Sequence, residues 1–117
     1  MNTLIWYPKC STCQKANTYL ESLGIETAKR HIVEEKLNKE EIKALYLKSK
    51  LPLKRFFNTS GLKYRELELK DKLETMSEEE QLTLLATDGM LVKRPILETK
   101  DTVIVGFKAK EYDLLNK

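Results

Sequence analysis

Cys10 and Cys13 are the only cysteines of this chain, and Ser11 and Thr12 alone separate them. Two thiols at this spacing suit thiol–disulfide exchange, in which one sulfur attacks a disulfide and the second resolves the mixed disulfide. Two cysteines are too few for a disulfide scaffold, and a bridge closing so small a ring restricts the unfolded chain little. In a reducing compartment such a pair reads as catalytic or redox-sensing. Exchange needs one thiolate near neutral pH and a second thiol within its reach. Cys10 falls in the loop before a helix, where free N–H groups and the partial positive charge of the helix end pull a thiol below its free value of about 8.5. Lys9 adds a neighbouring cation, and Ser11 or Thr12 is expected to cap the helix. Cys13 sits in the first helical turn. Cys10 is therefore expected to be the nucleophile and Cys13 the resolving thiol.

Other chemistry finds less support. A structural zinc site needs four ligands, and the only further Cys or His is His31. No metal is expected. His31 lies on a strand away from the head of the helix and reads as a partly exposed polar residue. Trp6 and Tyr7 read as packing residues at the core edge. Pro95, at the start of a strand, cannot donate to a ladder. Its peptide bond is open to either isomer, the cis form occurring at about 5–6% of X–Pro bonds.

The elements that must hold the cysteines follow from periodicity. Thr3-Leu4-Ile5-Trp6 is short, apolar and β-rich, and reads as a buried strand. Pro8 breaks it. A helix runs from Cys13 to Leu23 and ends at Gly24. Glu26 to Val33 alternates as a second strand. Asn38 and Glu41 have the spacing of a capping box and open a helix that fades near Lys50. Short helical pieces are expected at Arg55-Phe56-Phe57, Leu62 to Leu69 and Lys70 to Glu74, with a loop at Asn58-Thr59-Ser60-Gly61. Ser77 and Glu80 form a second capping box, whose helix Gly89 is expected to close. Arg94 to Glu98 and Thr102 to Phe107 read as an antiparallel hairpin, and a last helix covers about Lys108 to Leu115. The order β-α-β, helical insert, β-β-α predicts an α/β fold: a thioredoxin-like mixed four-stranded sheet with flanking helices and a helical insertion at about 38–90.

The chain has 117 residues, the size of one domain, 1–117. With 21 basic and 18 acidic side chains its net charge is +3, too weak an excess to imply direct nucleic-acid binding. Lys48 to Lys72 is locally basic and reads as a solvated helical face, an anion or acidic-partner surface being the alternative. There is no apolar run of the ~20 residues a membrane span needs, and the N-terminus has no signal-peptide pattern. A cytoplasmic monomer is expected.

Tyr7-Pro8-Lys9-Cys10-Ser11-Thr12-Cys13-Gln14-Lys15-Ala16, Lys93-Arg94-Pro95-Ile96 and Val105-Gly106-Phe107 together resemble the arsenate reductase (ArsC)/Spx family. The resemblance spans essentially the whole chain. It implies a thioredoxin fold, a cis Pro95 facing Cys10, and Arg94 pointing at the active cysteine to hold an anion or stabilise the thiolate. Without the resemblance, Arg94 would read as a salt-bridge residue on a strand edge. Glutaredoxin-coupled arsenate reductases of the family carry one active-site cysteine, a preceding His and three anion-binding arginines. Here Trp6 takes the place of that His, Asn58 stands near one arginine position, and Gly106 and Phe107 offer no counterpart of the last. The C-x-x-C resembles the Spx branch, redox-sensing regulators that bind the RNA polymerase alpha subunit, although the chain ends at Lys117 without the longer Spx tail. The first expectation is a thiol–disulfide oxidoreductase cycling Cys10 and Cys13. It holds no bound cofactor, and glutathione with glutaredoxin, or thioredoxin, supplies electrons. An RNA-polymerase-binding redox regulator and an arsenate reductase using Cys10 and Arg94 are the alternatives.

Overall fold

The structure, a computed structural model, describes residues 2–116. Strand β1 (Asn2–Trp6) leads into helix α1 (Ser11–Ser22), and β2 (Thr27–His31) follows. A helical insert comes next: α2 (Lys39–Ser49), a 3-10 turn at Leu53–Phe56, α3 (Leu62–Glu66), α4 (Leu69–Lys72) and α5 (Glu78–Leu85). The hairpin β3 (Ile96–Glu98) and β4 (Val103–Val105) precedes α6 (Ala109–Asp113). The sheet order is β2-β1-β3-β4, with β1 and β2 parallel and the other two pairs antiparallel. This is the mixed four-stranded thioredoxin-like sheet that the element order predicts.

Successive strand residues point to opposite faces, and the core divides accordingly. Leu4, Leu97 and Ile104 face α1 and α6, where they pack with Ala16, Leu20 and Tyr112. Ile5, Ile96, Val103 and Val105 face the insert, packing with Ile42, Phe56, Leu82 and Leu85. Both faces are covered, so the middles of the central strands, Leu4-Ile5 and Ile96-Leu97, are apolar at successive positions.

Local signals explain three helix ends. The Asn38–Glu41 and Ser77–Glu80 capping boxes are both formed. At the end of α1, Gly24 takes a φ of +74°. Its N–H donates to the Glu21 carbonyl and that of Ile25 to the Leu20 carbonyl, the paired bonds of a Schellman motif.

Several boundaries depart from the expectations. Helix α1 starts at Ser11, and neither Ser11 nor Thr12 caps it; Cys10 occupies the cap position with extended backbone. Strand β2 stops at His31, whose Nδ1 accepts the Val33 and Glu34 N–H groups and turns the chain. Strand β3 starts at Ile96, after the cis Arg94–Pro95 bond. Gly89 does not close α5, which ends at Leu85. It is buried against β2's exit, where an added Cβ would lie 2.2 Å from the Ile32 carbonyl oxygen. No helix among the described residues is long and apolar enough to cross a membrane.

Candidate thiol–disulfide site

The turn between β1 and α1 brings the two cysteines together. The Cys10 N–H donates to the Tyr7 carbonyl at 2.9 Å, and the Cys10 carbonyl accepts from Gln14 N at 3.0 Å as the first bond of the helix. Cys10 is half-buried and opens onto a cleft of about 970 Å³. Cys13, one turn on, is fully buried, and the Tyr7 N–H points at its sulfur at 3.5 Å. Both thiols are free.

Their acidities are driven apart. Burial raises the Cys10 pKa, but the Cys13 N–H, the Cys13 thiol, the Arg94 guanidinium and the Thr12 N–H together outweigh it and lower the thiol below its ordinary value. No cap hydrogen bond is closed to the Cys10 sulfur. The Thr12 and Cys13 amides are nonetheless aimed at it closely enough to favour the thiolate. Burial pushes the Cys13 thiol up to about 12, and hydrogen bonding to Cys10 and the Cys10 charge push the same way; the Tyr7 N–H and Arg94 only partly oppose them.

Arg94 arrives from the segment before β3. Its guanidinium carbon lies 5.3 Å from the Tyr7 ring centroid, a cation–π contact. Nε and Nη1 are buried and have no hydrogen-bond partner among the described residues. A charged donor left so is costly, and here both nitrogens belong to a side chain lining the Cys10 cleft. The insert fixes the approach: Lys93 N–H donates to the Phe56 carbonyl at 2.7 Å, Asn58 N–H donates to the Leu91 carbonyl at 2.7 Å, and Phe57 bridges to Val92. Pro95 is buried, its peptide bond cis, and its carbonyl accepts from Gly106 N at 2.8 Å.

The structure thus brings Cys10, Cys13, Thr12 and Arg94 together. Lys9 is exposed and is not among the groups that act on Cys10; Arg94, remote in sequence, supplies the cation. Ser11 is exposed on the first turn. Tyr7 is the residue whose part sequence reading understated. Its backbone touches both cysteines, and its ring carries Arg94 on one side and His31 edge-on at 5.6 Å. The signal available was its place directly before the Pro8 turn. Trp6, by contrast, packs into the α1–α6 face with Lys29 5.9 Å from its ring centroid. No group of three or more potential metal ligands occurs among the described residues.

The ArsC family model matches residues 5–115. The chain belongs to the ArsC family. It is 59% identical to the uncharacterized protein YusI of Bacillus subtilis over 95% of this chain and 94% of that one. A crystal structure of an ArsC family related protein from Bacteroides fragilis superposes with a TM-score of 0.95 at 52% identity, covering 97% of this chain and 96% of its own. The global transcriptional regulator Spx of Enterococcus faecalis is 29% identical over 95% of this chain and 83% of its own length. Asn58, Gly106 and Phe107 line the same cleft as Cys10.

Proposed function

We propose that this ArsC family member is a dithiol–disulfide oxidoreductase in which Cys10 attacks and Cys13 resolves. The observation that carries the reading is the split between an acidified thiol open to a cleft and a buried neutral thiol in contact behind it. Cys10, as thiolate, attacks a substrate disulfide, and the expelled thiolate takes a proton. The mixed disulfide removes the Cys10 charge and ends the sulfur–sulfur hydrogen bond. Both had raised the Cys13 pKa. Cys13 therefore ionises more easily at the moment it is needed, still assisted by the Tyr7 N–H and Arg94. It attacks the Cys10 sulfur and releases the substrate as a thiol. The free Nε and Nη1 of Arg94 suit a negative charge developing on sulfur beside Cys10. Glutathione with glutaredoxin, or thioredoxin, fits as the donor that reopens the bridge.

The experiment is coupled turnover of a neutral disulfide with NADPH and each donor system. Turnover lost in both Cys10→Ser and Cys13→Ser supports the dithiol cycle; turnover persisting in Cys10→Ser contradicts it. The likeness to Spx favours a second reading, in which the same pair is a redox switch for binding the RNA polymerase alpha subunit. Co-purification with that subunit only in the oxidised state would support it. Arsenate reduction through Cys10 and Arg94 is the weaker reading: Asn58, Gly106 and Phe107 stand where the family resemblance expects further arginines, and of the cations lining the cleft only Arg94 acts on the Cys10 thiol. Arsenate-dependent NADPH consumption would favour it.

A further inference from the structure

The cleft that holds Cys10 is lopsided in charge. Arg55, Lys63, Lys93, Arg94 and Lys108 line it against one carboxylate, Glu66. That excess is larger than the net +3 of the whole chain. The ion pairs among the described residues use Arg30, Lys39, Lys43 and Lys48, and none of the cleft cations. Five cations around one opening repel one another, so their convergence from four separate segments does nothing for the stability of the isolated fold. Arg55, Lys63 and Lys108 are exposed, while Arg94, whose charge acts on the Cys10 thiol, carries two buried nitrogens without a hydrogen-bond partner among the described residues. Leu62, beside Lys63, is 73% exposed and also lines the cleft, with half-buried Phe107 on another wall.

We propose that the disulfide presented to Cys10 belongs to an acidic segment of another polypeptide, a cysteine flanked by Asp or Glu and by an apolar residue that meets Leu62 and Phe107. The inference rests on the dithiol–disulfide reading above and adds its substrate class. A polypeptide fits better than a compact anion. A compact anion needs only the cations nearest the sulfur, whereas here charge and an exposed leucine continue outward over a cleft at the upper end of small-ligand pocket volumes. Depleted acid and an apolar contact ringed by cations are what an acidic partner segment meets as a complementary surface. In the step itself the Cys10 thiolate bonds to the partner cysteine's sulfur, whose old disulfide bond breaks, and the expelled thiolate is protonated. Cys13 then gives its proton to the departing partner thiolate and bonds to Cys10. Two electrons pass from the dithiol to the partner's disulfide, and a thiol donor later reduces the Cys10–Cys13 bridge.

The test uses the full reduced protein and short peptides, each with one cysteine held as a pyridyl disulfide and flanked by acidic, neutral or lysine residues. Release of thiopyridone gives the rate. The acidic peptide should react at least about tenfold faster than the lysine peptide at low ionic strength, with the ratio falling toward one in high salt. Lys63→Glu with Lys108→Glu, and separately Arg55→Glu, should lower that ratio in protein whose circular dichroism is unchanged. A ratio of one or less, a ratio indifferent to these variants, or equal acceleration by a small anionic thiol's disulfide would overturn the proposal. The neutral peptide keeps the two readings apart. If Cys10 fails to react with it, or the bound peptide is never released, the dithiol reading fails whatever the charge ratio.

Discussion

At the scale of single residues, the site turns on how Arg94 and the first amides of α1 treat two chemically identical thiols. Alkylation of Cys10 should follow a pH profile with its midpoint below that of an ordinary cysteine thiol. Arg94→Gln removes the one cation that acts on Cys10, so the midpoint should move up and the rate at neutral pH fall severalfold; an unchanged profile would mean that Arg94 does not stabilise the thiolate. Cys13 makes the opposite prediction for stability. Its folded pKa is raised to about 12 from an ordinary 9.0, so the native state holds this proton more tightly than the unfolded chain. The contribution is fully present below pH 9.0 and is lost as the pH climbs toward about 12. Urea unfolding of the reduced protein should show that decline, and Cys13→Ala should flatten it.

At the scale of elements, the signals legible in the sequence are those that close within one turn. Asn38 with Glu41 and Ser77 with Glu80 name their helix starts because both partners of each box are local. Asn38→Ala or Ser77→Ala should each cost about 1 kcal/mol in chemical denaturation and leave the Cys10 alkylation profile in place. Gly89 was illegible for the opposite reason. A glycine after a helix resembles a C-cap, and nothing nearby reveals that the Ile32 carbonyl occupies the space a Cβ would take. Gly89→Ala should therefore destabilise by about 1–3 kcal/mol, as overpacking does. Gly24→Ala, with open space around its Cβ and only a positive φ to strain, should cost about 1–2 kcal/mol. A larger loss at Gly24 than at Gly89 would contradict these assignments. The missed cap at Ser11 or Thr12 has a related cause: hydroxyls are the usual caps, and here the cap position belongs to the cysteine.

At the scale of the whole molecule, the sheet was legible and the cleft was not. Consecutive apolar residues in β1, β3 and β4 imply a sheet covered on both faces, and the β-α-β then β-β order fixes its pairing. Leu97 sits fully buried on the α1–α6 face, so Leu97→Ala should cost about 2–5 kcal/mol by chemical denaturation. The cleft gathers Arg55, Lys63, Lys93 and Lys108 from segments far apart in the chain, and each alone reads as an ordinary surface cation. The basic run from Lys48 to Lys72 hinted at two of them. Even so, Lys48 within it is spent on Glu98 and the Thr99 carbonyl. Arg94 entered through family resemblance, since spacing alone offers no reason to connect it with Cys10. Tertiary closure, and no local pattern, sets it over Tyr7.

The most direct test of the Cys10–Cys13 division of labour is to mix reduced protein with one equivalent of a neutral disulfide and identify the products by peptide mass mapping. Wild type should carry an internal Cys10–Cys13 bridge and no adduct, while Cys13→Ser should accumulate a stable mixed disulfide at Cys10, and Cys10→Ser should stay unreacted. A lasting adduct on wild type, or an adduct on Cys13 in the Cys10→Ser protein, would contradict the account.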